Sequence, residues 1–121
     1  MQIQLTEATP EHAPALGRIF YHAFKGIMER HGLPTDIASE EVGINIMKAR
    51  IAAPEFYGVV ALADGKIAGG NFYSRFDEWA GVGPLVVDPP MQGLRLGRHL
   101  MQAVIDHATA NGFERIDRKS T

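Results

Sequence analysis

The chain has 121 residues, a length that suits one domain, and we expect residues 1–121 to form it. Hydrophobic residues make up 45% of the sequence, which argues against global disorder, and the net charge of −2 argues against a broad nucleic-acid surface. The absence of cysteine excludes disulfides, thiolate metal ligands and a cysteine nucleophile, and no other cluster predicts a metal site. No signal peptide and no membrane-length apolar run is evident, so we expect a cytoplasmic protein without membrane contact.

A strand and a long helix are predicted at the start of the chain. Residues 2–6 alternate polar and apolar side chains, which predicts a strand with Ile3 and Leu5 facing inward. Thr9-Pro10-Glu11 predicts a helix start capped by the threonine, and the helix extends to about Arg30. The apolar stripe of this helix consists of Ala13, Leu16, Phe20, Ala23, Phe24 and Ile27.

A second helix and two paired strands are predicted next. The helix starts at Ser39-Glu40-Glu41 and ends before Pro54. Its predicted buried side consists of Val42, Ile46, Met47 and Ile51. Residues 56–63 and 66–75 are predicted strands, joined by the two-residue hairpin turn Asp64-Gly65. Within the second of them, Gly69-Gly70 predicts a weakened or bulged region.

A strand, a turn and a glycine-containing loop lead into the last helix. Residues 79–87 form the next predicted strand, and Asp88-Pro89-Pro90 stops it because proline cannot donate to a ladder. The helix that follows ends at Asn111-Gly112. Its apolar face consists of Leu96, Leu100, Ala103, Val104 and His107.

This arrangement directs free backbone N–H groups and the positive end of a helix at one point. Such a point binds an anion, most naturally a phosphate. Gly93 and Gly97 would let the phosphate approach the backbone closely. Neither a Walker lysine–serine pair nor a dinucleotide fingerprint is present, which disfavours a site for another nucleotide.

The segment V-V-D-P-P-M-Q-G-L-R-L-G-R-H-L-M, residues 86–101, strongly resembles the acetyl-CoA-binding motif of the GNAT superfamily of N-acetyltransferases. The family pattern is Q/R-x-x-G-x-G/A after a strand that ends in V-x-P. Gln92 matches its first position and Gly97 its last, whereas Arg95 replaces the middle glycine with the spacing intact. The resemblance implies an α/β (α+β) GNAT-like acyl-CoA N-acyltransferase fold. This fold has a mixed, mostly antiparallel sheet with flanking helices in the order β-α-α-β-β-β-α-(β).

The resemblance implies an acetyl-CoA-dependent N-acetyltransferase that acts on a small-molecule or peptide amine. The pantetheine arm of acetyl-CoA would be held by the backbone of Leu85, Val86 and Val87. The pyrophosphate would bind the backbone amides of Gln92, Gly93, Leu94, Arg95, Leu96, Gly97 and Arg98. The Arg95 side chain either contacts a phosphate oxygen or crowds the place where glycine allows close approach. Arg98 is either a second phosphate contact or a solvent-exposed arginine at a helix start.

The chemistry also needs a group that takes a proton from the amine. The strand before the loop carries no acid, and the nearest carboxylates are Asp77 and Glu78 in the preceding turn, where solvated acids are common. Tyr73 is a further candidate, with packing on the sheet as the alternative. His22 and His31 lie on or near the first helix, where the family places acceptor-contacting residues, or are ordinary surface histidines.

The chain ends soon after a predicted fifth strand at residues 113–117, where the family continues with further strands and a helix. We therefore expect a GNAT domain that lacks its C-terminal portion. A short fifth strand would leave the fourth with an unpaired edge, which predicts a homodimer joined near residues 79–87 or the C-terminal residues. Two interpretations remain open: an N-acetyltransferase, and a non-catalytic module that acts through CoA binding or dimerisation.

Overall fold

The structure, a computed structural model, describes residues 2–32, 37–74, 79–91, 95–110 and 115–118. The strands are β1 (Ile3–Glu7), β2 (Phe56–Ala63), β3 (Lys66–Ser74), β4 (Trp79–Val82), β5 (Val86–Val87) and β6 (Arg115–Arg118). The helices are α1 (Ala13–Arg30), α2 (Glu40–Ala52) and α3 (Leu96–Ala110). Short 3-10 turns at Pro10–His12 and Pro89–Met91 precede α1 and the loop to α3. Thr9 is the N-cap of the first of these turns and not of α1, which starts at Ala13, three residues later than Pro10, the predicted first helical position.

The strands form one mixed sheet in the order β1-β2-β3-β4-β6, with β5 also paired to β3. All pairs are antiparallel except β4 with β6, which is parallel. The predicted GNAT-like α+β class is therefore confirmed, with α1 and α2 packed on one face of the sheet and α3 on the other.

The predicted strand over residues 79–87 is interrupted, which corrects one expectation. Val82 pairs with Tyr73, but the chain then leaves the ladder and returns only at Val86, which pairs with Gly70. Pro84 lies in the interruption, where it has no N–H to donate. The interruption separates Leu85 and β5 from β4, and it gives this segment a position of its own between α1 and α3.

The hairpin between β2 and β3 agrees with its sequence signal. Asp64 and Gly65 both have positive φ angles, 50° and 84°, as a tight hairpin turn requires. The register slips between Ala61 and Leu62, where Ala68 becomes the extra residue on β3. The predicted irregularity at Gly69-Gly70 therefore takes the form of a bulge immediately before them.

The core on one face of the sheet is made by α1, α2 and residues of three strands. Its buried residues are Ala13, Leu16, Ile19, Phe20, Ala23, Ile37, Met47, Val60, Phe72 and Val86. The predicted stripe of α1 is largely confirmed, whereas α2 buries Gly43 and Met47. Val42 was wrongly predicted to be buried: it is 37% exposed because α2 turns its glycine side, not this residue, toward α1.

The core on the opposite face lies between the sheet and α3. Its buried residues are Val59, Ala61, Ala63, Ala68, Tyr73, Leu96, Leu100, Val104 and Ala108. Ile3 of β1 packs against this core, as predicted. Leu5 was wrongly predicted to face inward: it is 41% exposed, because β1 is the edge strand and has a neighbouring strand on one side only.

The fifth strand is present as β6, and it pairs with β4 along its whole length, from Trp79–Arg115 to Val82–Arg118. This edge of β4 is therefore covered by the chain's own strand. The unpaired edge on which the dimer expectation depended is not found at residues 79–82.

Candidate functional site

The segment Leu85–Val87 forms one wall of a cleft whose other wall is the second half of α1. The cleft has a volume of about 250 Å³. Its lining residues among those described are Ala23, Phe24, Ile27, Arg30, Leu85, Val86 and Val87. The lining is apolar on the α1 side apart from Arg30, and Leu85, Val86 and Val87 line the opposite side.

The start of α3 presents backbone donors near the same segment. His99 N donates to Arg95 O over 3.2 Å, which is the first bond of the helical ladder. The amides of Leu96, Gly97 and Arg98 precede that bond, so they belong to the set of helix-start N–H groups that have no partner within a helix. Together with the positive end of the helix dipole, they form an arrangement that binds an anion.

Arg95 adopts the backbone conformation that glycine favours. Its φ is 62°, in the left-handed region, although it carries a full side chain. This is the position at which the family pattern has its middle glycine. Arg95 therefore has the left-handed backbone conformation that a glycine would adopt at this position, and its side chain is exposed to solvent.

Gly97 and Leu85 bring the helix start and the strand together. A Cβ placed on Gly97 would lie 3.7 Å from Leu85 Cδ2, with no other heavy atom of the described residues within 4 Å outside its own helix backbone and chain neighbours. Among the described residues, packing therefore leaves space beside Gly97. The space fits a group that approaches the amide backbone between α3 and the strand.

The structure brings most of the described candidate residues into this one region. Leu85, Val86 and Val87 line the cleft, and Arg95, Gly97 and Arg98 lie at the adjacent helix start. The Leu96 side chain is buried in the core at 1% exposure, so only its backbone is available to a ligand. The remaining predicted cofactor contacts lie outside the described residues: Gln92, Gly93 and Leu94.

Tyr73, a predicted candidate for proton transfer, lies on the α3 face and does not line the cleft. Its side chain is fully buried, and its hydroxyl is 2.7 Å from His107 Nδ1. Tyr57 stacks on the His107 ring with a centroid distance of 3.5 Å. Asp77 and Glu78, the other two candidates, lie outside the described residues, so their role stays a prediction.

The two histidines considered on α1 also lie away from the cleft lining. His22 Nε2 is 2.6 Å from Glu40 Oε2, which joins α1 to the start of α2 at the surface. His31 is exposed and ends α1, where its amide donates to Ile27 O. Over the part of the chain that the structure describes, no group of three or more His, Asp or Glu side chains could hold a metal ion. No helix in these ranges is both long and apolar enough to span a membrane.

Sequence reasoning missed Arg30 as a site residue. It assigned Ala23, Phe24 and Ile27 to a core stripe, and it used Arg30 only to mark the helix end. The signal was present, because residues 23, 27 and 30 follow the four- and three-residue spacing of one helical face. Arg30 lies on the same helix face as Ala23 and Ile27, and this part of the face lines the cleft.

Comparison with known proteins agrees with this geometry. The sequence matches the model of the acetyltransferase (GNAT) family over residues 20–119. No curated protein sequence matches it.

Several solved structures share the fold. Glucosamine-6-phosphate N-acetyltransferase from Arabidopsis thaliana has a TM-score of 0.67 and 14% identity, with 100% of this chain and 84% of that chain covered. Ribosomal-protein-alanine N-acetyltransferase from Brucella melitensis biovar Abortus 2308 has a TM-score of 0.74 and 10% identity, covering 99% and 81%. A GNAT family acetyltransferase from Brucella melitensis, solved with acetyl-CoA, has a TM-score of 0.71 and 20% identity, covering 95% and 73%.

At these identities the structural likeness shows the fold alone. The family model adds the sequence pattern, and it extends from within α1 to the end of β6. The chain therefore belongs to the GNAT family of acetyltransferases.

Proposed function

We propose that this chain transfers an acetyl group from acetyl-CoA to a small-molecule or peptide amine. The observation that carries the proposal is the proximity of Gly97 to Leu85, since a Cβ built on Gly97 would lie 3.7 Å from Leu85 Cδ2. It supports a helix start able to bind an anion beside a strand segment that also lines the cleft. A long cosubstrate with a phosphate end and a thioester end needs this combination of sites.

The described residues fit acetyl-CoA, which supplies an activated acetyl thioester when bound. The amides of Leu96, Gly97 and Arg98 would hold its pyrophosphate, and the space beside Gly97 admits the phosphate to the backbone. The backbone of Leu85–Val87 would hold the pantetheine arm and orient the thioester at the cleft. A structural neighbour solved with acetyl-CoA supports this cosubstrate.

The acceptor amine would enter the cleft from the α1 side. Its nitrogen must be uncharged to attack the thioester carbonyl, so a proton has to leave first. Of the described lining residues, none is a carboxylate or an imidazole. Asp77 and Glu78 remain the proposed candidates for the base, and Tyr73 would need a route from the opposite face of the sheet.

Two measurements on the purified chain test the proposal. Isothermal titration with acetyl-CoA should give saturable binding, and addition of a panel of amines should release free CoA thiol, followed with a thiol reagent. A mixture without amine measures thioester hydrolysis and serves as the control. Absence of acetyl-CoA binding would contradict the proposal outright.

A second candidate is a non-catalytic module that binds CoA or associates with a partner. The observations that favour it are Arg95 in place of the motif glycine and the lack of an acid or histidine in the described cleft lining. Acetyl-CoA binding without acetyl transfer to any amine of the panel would favour this module.

A homodimer and a cytoplasmic location also stay predictions. Light scattering would test the first of them.

A further inference from the structure

We propose that the acceptor amine carries an anionic group, a carboxylate or a phosphate, and that Arg30 binds it. This inference rests on the proposed function and names the substrate class of the same cleft. Arg30 would then be a specificity-determining residue, because it selects the acceptor without taking part in the acetyl transfer.

The positive charge in the described cleft lining favours an acceptor with an anionic group. Ala23, Phe24 and Ile27 give the α1 wall an apolar surface, and Arg30 is the one charged residue among the described lining residues. Described walls that are apolar, with one cation at one end, match a ligand that is apolar in the middle and anionic at one end. Guanidinium groups bind carboxylates and phosphates through two parallel hydrogen bonds, which favours such anions over neutral groups.

The Arg30 guanidinium has donors that can bind an anion. Its Nε donates to Gly26 O over 3.3 Å within the same helix, which orients the group and leaves both terminal nitrogens for other partners. No carboxylate of the described residues lies within 4.0 Å of it, and the adjacent Glu29 is near Lys25 instead. An anion in the cleft would therefore not compete with an ion pair between Arg30 and any of the described carboxylates.

The dimensions of the cleft also favour a short acceptor. Ala23 and Arg30 lie about 10 Å apart along α1, at roughly 1.5 Å per residue. The cleft volume of about 250 Å³ lies just below the range of about 300–1,000 Å³ that is usual for small-molecule pockets, so it favours a small acceptor. These dimensions suit a short chain of methylene groups with an amine at one end and an anion at the other.

Arg30 also has a purely structural alternative. It lies in the last turn of α1, where a cation interacts favourably with the helix dipole. That role would affect the stability of the helix but would not discriminate between acceptors. The test must therefore compare acceptors that differ only in charge.

The probes are matched pairs of amines. One pair is 6-aminohexanoate and 6-aminohexanamide, whose amino groups are distant from the group that changes and so have similar basicity. Shorter ω-amino acids with their amides extend this series. A second pair, 2-aminoethyl phosphate and 2-aminoethanol, distinguishes phosphate from carboxylate. We expect kcat/KM to be roughly tenfold or more higher for the preferred anion than for its neutral partner.

The variants are Arg30→Ala, Arg30→Lys and Arg18→Ala. Arg18 is a matched control, because it is an exposed arginine on the same helix that does not line the cleft. Arg30→Ala should remove the preference for the anion, because kcat/KM falls much more for the anionic amine than for its neutral partner. Arg30→Lys should keep part of it, and Arg18→Ala all of it. The dissociation constant for acetyl-CoA should stay within about threefold in all three.

Each result of these measurements either supports the inference or overturns it. Equal use of the acid and its amide by the wild-type chain, or equal effects of Arg30→Ala and Arg18→Ala, would overturn the inference while leaving the transferase proposal intact. If acetyl-CoA binds but no amine is acetylated, titration of the CoA-saturated protein with the same acids replaces the assay, and no binding of any acid overturns the inference. If acetyl-CoA does not bind, the proposed function fails, and the inference fails with it.

Discussion

Gly17 of α1 and Gly43 of α2 face each other where the two helices cross. A Cβ on Gly43 would lie 2.6 Å from the Gly17 carbonyl oxygen, and one on Gly17 would lie 2.3 Å from the Cα of Ile44. Both contacts are with backbone, which cannot rotate away as a side chain can. The pair therefore sets how closely α2 approaches α1, and with it the position of the helix that forms one wall of the cleft.

We expect Gly17→Ala to destabilise the chain by about 2–3 kcal/mol, because the two helices must move apart despite the gain in helix propensity. Gly26→Ala is the matched control on the same helix, since a Cβ there meets no atom of the described residues within 4 Å outside its own helix backbone and chain neighbours. It should stabilise the chain by about 0.5–1 kcal/mol through helix propensity alone. Urea unfolding followed by circular dichroism measures both, and changes of the same sign would contradict the crossing.

The hydrogen bond between Tyr73 and His107 joins β3 to α3 inside the second core. Tyr73→Phe removes the hydroxyl 2.7 Å from His107 Nδ1 in a fully buried position. We expect a loss of about 1–2 kcal/mol in the free energy of unfolding, the usual effect of removing one partner of a buried hydrogen bond. Tyr21→Phe, at a half-buried tyrosine, should change it by less than about 0.5 kcal/mol. Equal effects of the two substitutions would argue against a stabilising role for this bond.

The sequence predicted the elements well, because helix and strand periodicities are local. The burial of Ala13, Leu16 and Phe20 could be predicted from their helical spacing, without knowing which elements pack on them. Leu5 and Val42 were predicted wrongly, since their exposure depends on the position of β1 at the sheet edge and the orientation of α2, which are tertiary properties. Arg30 was missed for the same reason, because it borders a cleft only after Leu85–Val87 folds against α1.

The position of Arg95 could be anticipated from the motif, but its conformation could not. The family pattern shows that glycine is usual there, and the structure shows why: the φ of 62° lies in the left-handed region. A sequence alone leaves open whether the arginine keeps that conformation or the loop changes course. The structure favours the first, with the side chain exposed.

We expect Arg95→Gly to stabilise the chain, because it removes the cost of a left-handed non-glycine residue, about 1 kcal/mol. Part of this gain is offset by the greater freedom of glycine in the unfolded chain, so the net change should be about 0.5 kcal/mol. Arg98→Gly is the matched control within α3 and should instead cost about 1 kcal/mol. Thermal unfolding measures both, and destabilisation by Arg95→Gly would contradict the left-handed conformation.

The same Arg95→Gly variant decides between the two roles of this side chain in cofactor binding. Tighter binding of acetyl-CoA in isothermal titration would mean that the arginine crowds the phosphate. Weaker binding would mean that the guanidinium contacts it. The change in stability and the change in affinity are separate readouts of one substitution, so neither can be mistaken for the other.

Gly97 permits a test in which stability and binding move in opposite directions. The space beside it accepts a methyl group, with Leu85 Cδ2 at 3.7 Å as the nearest packing atom among the described residues, and Ala is a better helix former than Gly. Gly97→Ala should therefore raise the free energy of unfolding by about 0.5–1 kcal/mol. If a phosphate approaches this backbone, the same methyl group should weaken acetyl-CoA binding several-fold, and Gly97→Val more. Unchanged affinity in both variants, measured by isothermal titration, would mean that the phosphate does not bind at the start of α3.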